Sequence, residues 1–285
     1  MLENLNINYE KCIVTWNKQW DNICNYLIDN HNPLPKFENL IDDSTFINVI
    51  NQLLQYKDEF TVTSPAISSY FRGVRENDPS KVIESRFIPD WKFVSDDNPS
   101  RMNGSDRLYN YFTISYKECY GEELIYTAAH ELRLENDDDF YGCYFNIPND
   151  VGELKFIDLR TIEKIPTNEK RVYSFLKEKC FDPFGNSLSE NIVAKWLIQI
   201  SLSIWEHSKM FEPIDKSSSI TLQNQYRPFH VLCDYFERNG FDGVIYRSTV
   251  YKKGACLALF DINKAKCDFS SLKQYESSKY MGRKK

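Results

Sequence analysis

A chain of 285 residues with a net charge of −6 and 15% aromatic residues has the apolar mass for a buried core. It lacks the basic excess of a general binder of nucleic acid or anionic membranes, so neither is expected as a partner. Its eight cysteines stand at 12, 24, 119, 143, 180, 233, 256 and 267 with no CxxC pair, which is not zinc spacing, and they are expected as reduced thiols.

In chain order, Ile13, Trp16, Trp20, Ile23 and Leu27 recur every three or four residues and predict a first helix. Phe46, Val49, Ile50 and Leu53 predict a second, with NHNPLP between them as a breaker. The N-terminus has no basic stretch followed by an apolar core, and no later segment approaches the ~20 apolar residues of a membrane span. The expectation is therefore a cytoplasmic protein that is not exported by the general route. After QYKDEF, near residue 60, the texture changes to short aromatic and β-branched runs. AISSYFRGVR, RLYNYFTI, DFYGCYFNI and LKFIDL predict strands.

Val193, Trp196, Leu197, Ile200 and Ile204 mark a further helix. FHVLCDYFERNG marks another, with Asn239-Gly240 as its left-handed stop. FDGVIYRSTVYKKGACLALFD then predicts two strands, Gly243 to Arg247 and Ala255 to Phe260, joined by a polar loop. Helices and strands mix without a βαβ rhythm, and there is no glycine-rich dinucleotide or phosphate loop. These features predict an α+β fold divided into a helical extension over 1–60, a main domain over 61–265 and a tail over 266–285.

The residues suited to an anionic, ribose-containing ligand are Arg72 and Arg75 in YFRGVR, Arg101 in SRMNG, Tyr111 and Glu122 in YNYFTISYKECYGEE, and Ser248 in FDGVIYRST. Arginine presents a planar donor fork to phosphate oxygens. Tyrosine offers a flat face and a hydroxyl. A carboxylate stabilises positive charge developing at a sugar carbon. Taken singly, each has an ordinary reading as ion pair, core tyrosine, solvated helix residue or turn former. His230 and Cys233 on one apolar helix read as packing rather than as a metal pair, and no metal is expected.

Together, YFRGVR, RMNGSDRLYNYFTISYKECYGE, KFIDL, YRPFHVLCDYF and FDGVIYRSTVYKKGACLALF stand in the order of the motifs of the RES domain family, which this sequence resembles over about residues 65 to 262. The family is named for its arginine, glutamate and serine. The resemblance implies a split β-sheet like that of mono-ADP-ribosyltransferases, with flanking helices and with residues 61–265 as the catalytic domain. It also implies NAD as substrate, cleaved at the nicotinamide–ribose bond without a metal, in toxins restrained by an antitoxin or immunity protein that occludes the active site.

Carried over by position, the resemblance implies that Arg72 and Arg101 hold the phosphates or the nicotinamide ribose. Tyr111 would pack beside the nicotinamide, and Ser248 would bond its amide or the ribose. Glu122 would stabilise the oxocarbenium, with Glu123 adjacent and Glu131 more remote as alternative carboxylates. Two departures stand out: His230 occupies the position of a family glutamine, and Gly104 comes two positions early in the turn after Arg101. The acceptor of ADP-ribose stays open between phosphate, water and a protein side chain. A mono-ADP-ribosyltransferase with a protein target and an inactive NAD- or partner-binding module are the competing expectations, with a ribonuclease a distant third.

Overall fold

The computed structural model describes residues 8–30, 35–40, 45–76, 78–90, 108–116, 122–134, 138–212 and 219–281. Arg101, its neighbouring turn and Cys119 lie outside them. The chain divides into two compact units, one of residues 1–61 with 159–214 and one of 62–158 with 215–285.

The first unit is helical. Helix α1, Tyr9–Asp29, starts where the Asn8 side chain accepts from the Lys11 N–H at 3.0 Å. It buries Trp16, Trp20, Ile23 and Leu27 along one stripe, as their spacing predicts. Helix α2, Thr45–Gln55, buries Phe46, Val49, Ile50 and Leu53. The expected extension over 1–60 does not stand alone: α4, Glu169–Cys180, and α5, Glu190–Glu206, belong to the same unit. Trp205 of α5 lies 5.0 Å from Trp16 and 5.3 Å from Phe46, centroid to centroid, so three aromatic side chains from three helices share one core. The Tyr9 hydroxyl meets Ser203 Oγ at 2.7 Å, which satisfies both buried groups.

The second unit is built on an eight-stranded mixed sheet. Its strands are β1 Thr61–Thr63, β2 Ile67–Arg75, β3 Asn110–Tyr116, β4 Asp139–Asn146, β5 Lys155–Asp158, β6 Gly243–Arg247, β7 Ala255–Leu259 and β8 Lys266–Glu276. They run in the order β1-β5-β6-β7-β3-β2-β4-β8, with β5 and β6 parallel and the other described registers antiparallel. All six strands read from the sequence form close to their expected limits. The stretch 266–285, expected as a tail, instead carries β8, which pairs with β4 from Asp139–Glu276 to Asn146–Lys266.

One sheet face carries Phe112, Ile114, Phe145, Leu257 and Leu259 in a large apolar cluster. The other receives helix α3, Glu122–Glu131, whose Leu124, Ala128 and Ala129 pack with Phe71 and Phe140. The Phe71 ring in turn lies directly over Gly142, where a Cβ would collide with it. Helix α6, Ser219–Arg238, ends before Gly240, whose φ of +86° is the left-handed stop expected from Asn239-Gly240.

Candidate active site around Ser248 and Glu131

The β6–β7 hairpin delivers Ser248 immediately after the strand. Its N–H donates to the Gly254 carbonyl at 3.0 Å and prolongs the pairing by one residue. Its Oγ accepts from the N–H groups of Val250 at 3.3 Å and Tyr251 at 3.0 Å, which is a serine-built turn. A hydroxyl has two acceptor positions and one hydrogen. With both acceptor positions engaged, the hydrogen is directed to Glu131 Oε1, at 2.6 Å. Cys256 Sγ lies 3.7 Å from the same oxygen. Ser248 is 2% exposed, whereas Glu131 is exposed, so a solvent-facing carboxylate is fixed by a buried donor.

Glu131 ends α3, and three contacts set that helix against the sheet. Thr113 Oγ1 donates to the Leu124 carbonyl at 3.1 Å and also lies 3.3 Å from the Phe71 carbonyl. Thr127 packs so closely on Gly254 that a Cβ at that position would collide with it. Tyr251, in the hairpin loop, stacks on His130 at 5.0 Å and 9° and lies 6.2 Å from the Tyr126 ring. Burial holds His130 below its ordinary pKa, opposed by the charge of Glu131. Burial also raises the Tyr251 phenol, with Glu123 adding to the rise.

The residues chosen from the sequence are not all gathered here. Ser248 is. Glu122 is exposed at the opposite end of α3, nine residues from Glu131, and at 1.5 Å per residue that is about 13 Å along the helix. The α3 geometry thus gives Ser248 a different carboxylate from the one expected, because α3 turns its C-terminal end to the hairpin. Glu123 lies within electrostatic range of Tyr251.

Arg72 and Tyr111 sort by the alternation of strand side chains. Phe71 pairs with Thr113, and the Thr113 hydroxyl bonds α3, so this side of β2 and β3 faces the helix. Tyr111, two residues before Thr113 on β3, shares the helix-facing side and is half-buried. Arg72, one residue after Phe71, projects from the other side. There its Nη1 donates to Asn110 Oδ1 at 2.6 Å. Burial lowers its pKa to about 10, opposed by Tyr111 and Cys267, so the guanidinium stays protonated near neutrality. Arg75, the other arginine of that strand, pairs with Asp138 at 3.0 Å.

Sequence reasoning passed over Asn110, Thr127, His130 and Tyr251. Thr127 and Glu131 stand four apart in TAAHE, the spacing of one helix face, and that was the only local signal for them.

The seven described cysteines are free thiols, and among the described residues no three His, Cys, Asp or Glu side chains converge as a metal site. Among them, too, no helix is long and apolar enough to cross a membrane. No family model, curated protein or solved structure significantly matches the chain. Chemically, the pair offers a carboxylate whose one oxygen is anchored and whose orientation is fixed, beside an aromatic stack, as a group stabilising positive charge on a bound ring requires.

Proposed function

We propose that the chain is a RES-type enzyme that cleaves the nicotinamide–ribose bond of NAD, on a sheet of the ADP-ribosyltransferase kind that is here continuous rather than split, with Glu131 in the part first assigned to Glu122. The observation that carries this reading is the Ser248 Oγ to Glu131 Oε1 hydrogen bond of 2.6 Å. It joins the serine of the resemblance to Glu131, the remoter of the two alternative carboxylates to Glu122, from positions 117 residues apart in the chain.

In this reaction the bond between the ribose carbon and the nicotinamide nitrogen breaks, and its electron pair leaves with nicotinamide, neutralising the ring. The ribose carbon becomes oxocarbenium-like. The Glu131 carboxylate lowers the energy of that charge, and Ser248 acts as a positioning residue that holds it in place. Water or phosphate then adds to the carbon, and with water a proton is released. Because the leaving group is a neutral amide-substituted pyridine, no acid is needed to expel it.

The test is proton NMR of purified protein with NAD, with and without phosphate, beside Glu131→Gln. Free nicotinamide from wild type alone supports the reading, and faster release with phosphate identifies phosphorolysis. If wild type releases no nicotinamide in either buffer, the NAD-cleaving proposal falls.

A further inference from the structure

Away from Ser248 and Glu131, the opposite face of β2 and β3 holds a polar pair without a completing partner. Asn110 is 1% exposed, yet its Nδ2 has no hydrogen-bond partner. The orientation of its amide is fixed by chemistry: a guanidinium only donates, so the atom meeting Arg72 Nη1 at 2.6 Å must be the carbonyl oxygen. Nδ2 therefore points away from that bond with both hydrogens unused.

Arg72 is equally incomplete. Asn110 is its one hydrogen-bond partner among the described residues, none of whose carboxylates forms an ion pair with it. The groups that act on its charge are Tyr111 and Cys267, and burial depresses its pKa. A half-buried cation with one neutral partner and a fully buried amide nitrogen with none are both better satisfied when a third group completes them. A multi-acceptor anion would complete both, because it can accept from a guanidinium and an amide at once.

We propose that Asn110 is the second donor of an oxyanion-binding site built with Arg72: Oδ1 orients the guanidinium, and Nδ2 donates to a phosphoryl oxygen of the bound anion. The ligand chemistry is a phosphate group, either free phosphate or the pyrophosphate of a dinucleotide. The inference needs no turnover and stands independently of NAD cleavage.

The experiment measures binding of inorganic phosphate, pyrophosphate and ADP-ribose by calorimetry, with thermal melting in anion-free buffer. Wild type should bind at least one of the three. Asn110→Asp puts a carboxylate against the guanidinium, so it should melt no lower than wild type while binding at least about tenfold more weakly, as expected when a charge-assisted donor is replaced by a like charge. Should that variant not fold, Asn110→Ser removes Nδ2 without adding charge and should also bind about tenfold more weakly.

Binding of phosphate or pyrophosphate on its own identifies the free anion as sufficient, and binding of ADP-ribose alone identifies the dinucleotide as the source. A folded Asn110 variant that binds like wild type, or a wild type that binds none of the three, overturns the inference. Glu131→Gln should retain anion binding, so loss of nicotinamide release there leaves this site untouched.

Discussion

Replacing Glu131 with glutamine and, separately, Glu122 with glutamine tests which carboxylate, if the proposed cleavage of NAD holds, performs it. Glu131 accepts from Ser248 at 2.6 Å, and a hydrogen bond to an ionised acceptor contributes about 1.5–3 kcal/mol against about 1 kcal/mol for a neutral one. Glutamine keeps an acceptor, and the side chain is exposed, so Glu131→Gln should cost no more than about 1 kcal/mol of stability. Turnover should respond differently, because in the proposed reaction the lost charge is needed mainly in the transition state. Removing one such stabilising group costs about 100- to 1,000-fold in kcat, or about 2.7–4 kcal/mol. Glu122→Gln changes an exposed residue about 13 Å farther along α3 and should move stability by less than about 0.5 kcal/mol with little change in rate. Nicotinamide release followed by proton NMR, with urea unfolding of each variant, separates the two effects. A Glu131→Gln enzyme with wild-type release, or a Glu122→Gln enzyme that folds normally and is inactive, would refute the assignment.

Ser248→Ala removes the acceptor for the Val250 and Tyr251 N–H groups as well as the donor to Glu131, so it should destabilise by about 2 kcal/mol in urea unfolding and slow the proposed NAD cleavage. Gly254→Ala sets a methyl group against Thr127 and should cost about 1–3 kcal/mol while shifting α3 from the hairpin; a variant as stable and active as wild type would show that the contact yields freely. Because the folded pKa of His130 lies below its unfolded value, the unfolded chain binds more protons between the two. Stability should therefore fall as pH drops from about 6.5 toward the depressed folded value, and His130→Phe should lose that component of the melting-temperature profile. Trp205→Ala empties the core shared with Trp16 and Phe46 and should cost about 3–5 kcal/mol in unfolding of the helical unit.

The local elements were legible in the chain. Apolar stripes at three and four residues gave α1, α2 and α5, because a helix face must be buried. Aromatic and β-branched runs gave the strands from β2 to β7, and Asn239-Gly240 gave the end of α6, since only a residue tolerant of positive φ ends a helix that way. Ser248 was legible for the same kind of reason, as the first residue after a well-marked strand. What the local pattern could not carry was which distant residue each element would meet. β8 was missed because Lys266–Glu276 is an edge strand of mostly exposed and half-exposed residues whose apolar alternation is weak; it exists through its pairing with β4. Residues 159–214 join the N-terminal helices only through contacts made after folding.

The carboxylate shows the limit most directly. Glu122, Glu123 and Glu131 all lie on one ten-residue helix, and counting along the chain cannot say which end faces the hairpin. That choice is made by Thr113 on Leu124 and by Thr127 on Gly254, contacts between residues 11 and 127 positions apart in the chain. Likewise, Arg72 and Tyr111 look alike as strand residues near a ligand, but a one-residue change of parity puts them on opposite faces of a sheet. Residue type is written in the chain; which residues meet is decided by the register of the sheet and the seating of α3 upon it.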